Sequence, residues 1–347
     1  MRGRGRVWTG ILLLVAILAS CQRSSRIPTE PDGIAPEITW PQAPQRARIR
    51  FVKTVARPQD LGIRPSFWHQ VGDLFAGKSE DAFIRPTGVA ARGSTIYVAD
   101  PGAQALWILD GQAGRCRAVR EAGKARLIAP VAVTVGGGDE VYVADSRLAK
   151  VLLYDSRGEL KGTIADTRLN SPAGLAYDPR RDRLYVADSS AHGIWIFSGS
   201  GVLLGVIGRR GTGAGEFNFP THLAVDREGG LYVTDALNFR IQIFSAEEQF
   251  TGQFGEHGDF SGKFAMPKGV ASDSKGHIYV VEALFDALQI FDRQGRYLLT
   301  VGERGTGPGQ FWLPNGVFID ARDRIYVADA YNRRIQILEY LPGGEDE

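Results

Sequence analysis

Six times between residues 86 and 338 the chain repeats one pattern: a proline, a short apolar strand, a polar turn, a Tyr-Val-Ala-Asp-like strand, a polar loop and a third apolar strand. The fullest copy is residues 314–338, PNGVFIDARDRIYVADAYNRRIQIL. The other copies open at Pro86, Pro130, Pro172, Pro220 and Pro267, so the intervals are 44, 42, 48, 47 and 47 residues. Short β-branched runs punctuated this regularly form antiparallel meanders. A repeat of roughly 45 residues with several strands in each copy implies radially stacked sheets, an all-β, six-bladed β-propeller.

Each blade needs a fourth, outer strand before the next proline. Residues 202–207, 250–254 and 297–301 supply it for blades three, four and five. Blade six runs out after Leu338, and residues 48–55, RIRFVKTV, are the strand available to close it from the N-terminal side. Strands packed on both faces read as continuous apolar runs, as residues 184–187 do. The tyrosines at 97, 142, 185, 232, 279 and 326 then fill the spaces between blades. One segment falls outside the repeat. Between Pro65 and Gly77, with Ile63 just ahead, the apolar residues Phe67, Trp68, Val71, Leu74 and Phe75 predict a short helix before blade one. The topology puts it on the face that carries the outer-to-inner connections, across the channel mouth or at the rim. Phe67 and Trp68 are candidate contacts there.

The repeat resembles the NHL family, whose mark is a Pro-Gly opening, a Tyr-Val-Ala/Thr-Asp second strand and an Asn-x-Arg-Ile third strand. Blades four and six carry it in full, through Asp235, Asn238 and Arg240 and through Asp329, Asn332 and Arg334. Earlier blades keep the acid and lose the Asn and Arg. The resemblance covers residues 48–340 and implies the propeller fold more than any activity. Six acids end the second strands: Asp100, Asp145, Asp188, Asp235, Glu282 and Asp329. One acid at the same position in every repeat is a structural turn residue, because a functional site breaks repeat symmetry.

Departures from the repeat are therefore the candidates. The third repeat position is glycine in four blades but His222 in blade four, and its neighbours include Lys268 and Asn315. These three residues mark the channel mouth. Phe239, Phe285 and Tyr331 are aromatic candidates on the upper loops, suited to a sugar, an envelope polymer or a protein partner. His192, His222 and His257 form the alternative set, a zinc or calcium site of the kind used by the amidating lyases and lactonase-like propellers that share this fold. Asn315-Gly316 matches the Asn-Gly pair at the mouth of the lactonase-like enzymes. The loops at 211–215 and 305–309, GTGAG and GTGPG, lack the Lys-Ser/Thr of a phosphate loop and are read as loop glycines.

Residues 1–20 read as a signal peptide: arginines at 2, 4 and 6, an apolar run from Ile11 to Leu18, and Leu-Ala-Ser before Cys21. The segment resembles a bacterial lipobox, which implies cleavage before Cys21, acylation of that cysteine and attachment to a membrane. Gln22 in the next position implies the outer membrane, facing the periplasm, if the cell is Gram-negative. Cys116 is then left alone, so the expectation is no internal disulfide. Residues 21–45 are expected to be a proline-rich flexible tether, 46–341 the propeller and 342–347 an acidic tail. The chain has 41 basic and 39 acidic residues, and losing three arginines with the leader leaves it near neutral, which argues against nucleic acid as a partner. The expected function is a membrane-tethered, extracytoplasmic binding or scaffold propeller without catalysis or cofactor, engaging a protein or ligand. A metal-dependent lyase or lactonase at the channel mouth is the alternative. The anchor is directly testable: Cys21→Ser should release the protein from washed membranes, and retention of the variant there would show an uncleaved span instead.

Overall fold

The structure, a computed structural model, describes residues 37–63 and 82–342. Blade four shows the plan. Its strands Pro220–Val225, Leu231–Asp235, Arg240–Phe244 and Phe250–Phe254 pair in sequence order, each antiparallel to the last. Blades one, two, three and five repeat it. The inner strands lie side by side around a central channel, and that of blade six, Val317–Ile319, packs against that of blade one, Gly88–Arg92. The ring is closed.

Closure uses the N-terminal strand, as the alternating pattern of residues 48–55 predicts. Ile49–Val55 pairs with the third strand of blade six, Arg334–Tyr340, with Ile49 opposite Tyr340 and Val55 opposite Ile335. A bulge between Phe51 and Lys53 lets this strand serve two interfaces. Ile49 sits in the apolar layer between blades five and six, while Val55 sits in the layer between blades six and one. Both are fully buried, worth ~1.5–3 kcal/mol each against exposure.

The end of the stretch expected to be a tether, residues 21–45, is instead built into blade six. Thr39–Trp40 forms a fifth strand on blade six, paired with Arg50 and Ile49. The backbone N–H groups of Phe51 and Arg48 donate to the carbonyls of Ile38 and Trp40, at 2.9 and 2.7 Å. The Trp40 ring covers Gly309 closely enough that a Cβ there would lie 2.6 Å from it. Proline content concealed this pairing, because a two-residue strand has no readable period. The helix expected from Pro65, with Phe67 and Trp68, lies outside the described residues. So do Cys21 and the tail beyond Pro342.

The buried apolar side chains of the described residues fall into six layers, one between each pair of neighbouring blades. The second-strand tyrosines are buried in these layers, as expected. The six second-strand acids are fully buried as well, and their structural role is visible. Asp100 accepts the N–H groups of Ile84 and Arg85, Asp145 those of Ile128 and Ala129, and Asp188 those of Asn170 and Ser171. Glu282 does the same for Ala265 and Met266. Each acid thus fixes the connection entering its own blade.

In blades four and six the acid is also ion-paired. Asp329 Oδ2 accepts from Asn332, Arg334 and Gln336 at 2.9, 2.7 and 3.0 Å, and Asp235 repeats the arrangement with Asn238, Arg240 and Gln242. The same guanidinium groups donate onward to Gly307 and Gln310, and to Gly213 and Glu216. The glycine loops are therefore arginine-caged structure, not phosphate cradles.

Closure can be checked by truncation. A chain beginning at Ala56 should lose several kcal/mol of stability or aggregate relative to one beginning at Glu37, because it gives up the latch strand and exposes the edge of blade six. Equal melting temperatures for the two would rule the latch out.

Candidate functional site

Each inner strand is entered through a buried proline, followed round the ring by Thr87, Val131, Ala173, Thr221, Lys268 and Asn315. Of these, Thr87, Val131, Lys268 and Asn315 line the mouth of the channel. At the following position glycine is required where neighbouring blades touch backbone to backbone. A Cβ on Gly174 or Gly316 would lie 2.4 Å from the carbonyl oxygen of Thr221 or Thr87. Blade four escapes this constraint and places the His222 ring there.

His222 reaches past blade five to blade six, where its Nε2 lies 3.1 Å from Asn315 Oδ1. The pair spans the channel. Below it is a narrow cavity of about 130 Å³ lined by the inner strands, including His222 and Gly316. Above it the channel opens into a mouth of about 630 Å³, lined among others by Arg85, Arg147, Lys268, Asn315 and Tyr331. His222, Lys268 and Asn315 are thus brought together, as their departure from the repeat suggested.

Electrostatics set the state of this group. Burial, reinforced by the nearby Lys268 charge and opposed by the Asn315 hydrogen bond, pushes His222 down to about 3. The imidazole is therefore neutral at physiological pH, although its edge keeps some contact with the channel. With Asn315 Oδ1 accepting, the proton sits on Nε2, and Nδ1 is left buried without a hydrogen-bond partner. Thr221 Oγ1 is buried and unpartnered in the same way. Burial also lowers Lys268, with the Glu282 carboxylate pulling it back up. Glu282 itself is raised by burial, against three backbone N–H bonds and Lys268.

The three aromatic candidates differ in exposure. Tyr331 is exposed, packs beside Trp312 at 5.7 Å between centroids, and lines the mouth. Phe239, in a left-handed turn, is half-buried against His257, and Phe285 is half-buried too. The large apolar side chains that do stand out on these loops include Ile84, Ile128, Leu237, Leu284 and Trp312. Arg85, Arg147, Thr221 and Trp312 were missed as site residues. Arg85 and Arg147 were findable, since one precedes a repeat proline and the other follows a second-strand acid.

The alternative metal set is not assembled. His192 Nδ1 accepts the Phe219 N–H at 3.2 Å, His222 is held by Asn315, and His257 packs edge-on against Phe239 at 4.5 Å. Among the described residues no three His, Cys, Asp or Glu side chains gather as metal ligands.

A family model described as a 6-bladed beta-propeller (DUF5128) matches residues 176–261 and 270–340. The fold is a six-bladed β-propeller. Solved structures of similar fold include a structural-genomics protein of unknown function from Bacteroides thetaiotaomicron, at 17% identity and a TM-score of 0.59, covering 76% of this chain and 71% of that one. An auxiliary nutrient binding protein from the same organism is similar at 13% identity and 0.57, covering 74% of this chain and 69% of that one. Virginiamycin B lyase from Staphylococcus aureus is similar at 13% and 0.55, covering 74% and 96%. At these identities the likeness is one of fold alone. No curated protein matches the chain by sequence.

The protonation assignment has a measurable consequence. Below the ordinary histidine pKa the unfolded chain takes up a proton that folded His222 refuses until about pH 3. Stability is therefore lost as pH falls from 6.5 towards 3. Relative to His222→Gln, the wild type should lose about 2–3 kcal/mol between pH 7 and pH 4 in urea melts. An imidazole signal from His222 titrating near pH 6.5 by NMR would contradict the assignment.

Proposed function

We propose that this chain is a binding propeller of the NHL type, exported and lipid-anchored through Cys21, that receives its ligand or partner on the face bearing the outer-to-inner connections. The observation that carries this reading is the make-up of that face. A cationic, polar mouth opens at its centre, and exposed Ile84, Ile128, Leu237, Leu284, Trp312 and Tyr331 stand on the loops around it. Apolar groups rimming a polar cavity mark interaction sites. The opposite mouth is different. It is a cavity of about 360 Å³ lined by turn residues such as Asp226 and Asp320, whose carboxylates are taken up by backbone N–H groups of their own turns.

Two further points support the reading. The Asp-Asn-Arg triads of blades four and six are of the NHL kind and serve the loops, so they leave the channel mouth free for recognition. One protein of similar fold is named a nutrient binding protein, and binding at a propeller face is in keeping with it. The lyase of similar fold keeps the enzyme alternative in view; no specific geometry of this chain favours it.

Site-specific photo-cross-linking tests the face. A photoreactive phenylalanine at Leu237 or Tyr331 should give adducts in native membranes, whereas one at Arg180, on the opposite mouth, should not. Adducts equally abundant from both mouths would defeat the reading. Stoichiometric zinc or calcium in protein purified without added metal would favour the enzyme alternative.

A further inference from the structure

We infer that the upper mouth is a binding site for a small organic anion, a carboxylate or phosphate monoester with an apolar body. This rests on the reading of that face as the binding face, and it names the ligand chemistry.

Three cations from three different blades line the one cavity: Arg85 of blade one, Arg147 of blade two and Lys268 of blade five. Among the described residues none of the three side chains is held in an ion pair or hydrogen bond. Elsewhere on the molecule, arginines such as Arg183, Arg240, Arg324 and Arg334 are committed to carboxylates. Among the described residues no aspartate or glutamate lines the cavity. The second-strand carboxylates of these blades are fully buried and face the backbone N–H groups they accept from. An anion entering from solvent meets the cations first.

The floor adds a donor. Because Asn315 Oδ1 is engaged by His222, the Asn315 amide has a fixed orientation, and its NH₂ group has no partner among the described residues yet is not buried. It is free to donate into the cavity that Asn315 lines. Lys268 and Asn315 thus offer N–H groups at the centre, and the two guanidinium groups offer forked donors at the edge, the geometry suited to carboxylate and phosphate oxygens. Ile128, Met266, Leu313 and Tyr331 give the lining an apolar and aromatic part, and about 630 Å³ is within the range of small-molecule pockets.

Calorimetric titration of the intact protein with phenyl phosphate, benzoate, inorganic phosphate and benzyl alcohol tests the site. At least one aromatic anion should bind one per chain, about tenfold more tightly than inorganic phosphate, with benzyl alcohol showing no saturable binding. Added salt should weaken the binding. Lys268→Met should cost about tenfold or more and Arg147→Gln about threefold. Lys161→Met, on the outer strand of blade two, should change nothing. Melting curves confirm that each variant is folded; should Lys268→Met not fold, Arg147→Gln on its exposed loop carries the test. Unchanged affinity in the folded Lys268 and Arg147 variants, equal binding of benzyl alcohol, or no saturable binding of either aromatic anion would overturn the inference. If the anions fail while cross-links from Leu237 and Tyr331 persist, the face still binds, but not by this chemistry. If both fail, the reading of the face falls with it.

Discussion

The carboxylate that ends each second strand is removed from water in all six blades, and a charge so placed is tolerable only when its oxygens are filled with hydrogen bonds. Here the backbone N–H groups of the incoming connection fill them. This one interaction fixes where each connection turns inward and where the repeat proline stands. In blades one, two, five and six the residue after that proline lines the channel mouth. The channel mouth is thus assembled from six independent copies of the same anchoring device, and its chemistry is decided by whichever residue each copy happens to present.

That arrangement separates stability from recognition. In blades four and six, Arg240 and Arg334 extend the anchor to the glycine loops, and Gln242 and Gln336 complete it. In blade five, Gln289 alone holds the corresponding loop through Gly262 and Lys263. None of these groups is needed at the mouth. The mouth residues in turn carry no blade. Thr87 alone among them reaches the neighbouring blade with its side chain, donating to the Val131 carbonyl at 2.9 Å. His222 is the exception that crosses the axis, and it does so in the neutral form that a cation-lined, water-poor throat enforces.

The propeller was legible because its information is repeated. The spacing of the six prolines and the apolar second strands specify the sheets, and the missing outer strand of blade six points to residues 48–55 by elimination. The candidate site was legible in part, for the complementary reason. His222, Lys268 and Asn315 stand out against glycine and small residues at equivalent positions. Arg85 and Arg147 did not stand out, because loop arginines are common and only the folded ring shows that these two share a cavity with no carboxylate among its described lining residues. That Phe239 and Phe285 are half-buried while Tyr331 stands exposed is likewise something residue type alone does not reveal. The pairing of Thr39–Trp40 was hidden by brevity.

The latch strand has a consequence for the order in which the molecule can be completed. Arg50 and its partner Glu339 are separated by 289 positions in the chain. Blades one to five can form from contacts close in sequence, as each new meander emerges. Blade six cannot, since its outer strand at residues 49–55 must wait for residues 334–340. Until that late segment arrives, the finished blades form an unclosed arc whose two ends have not met.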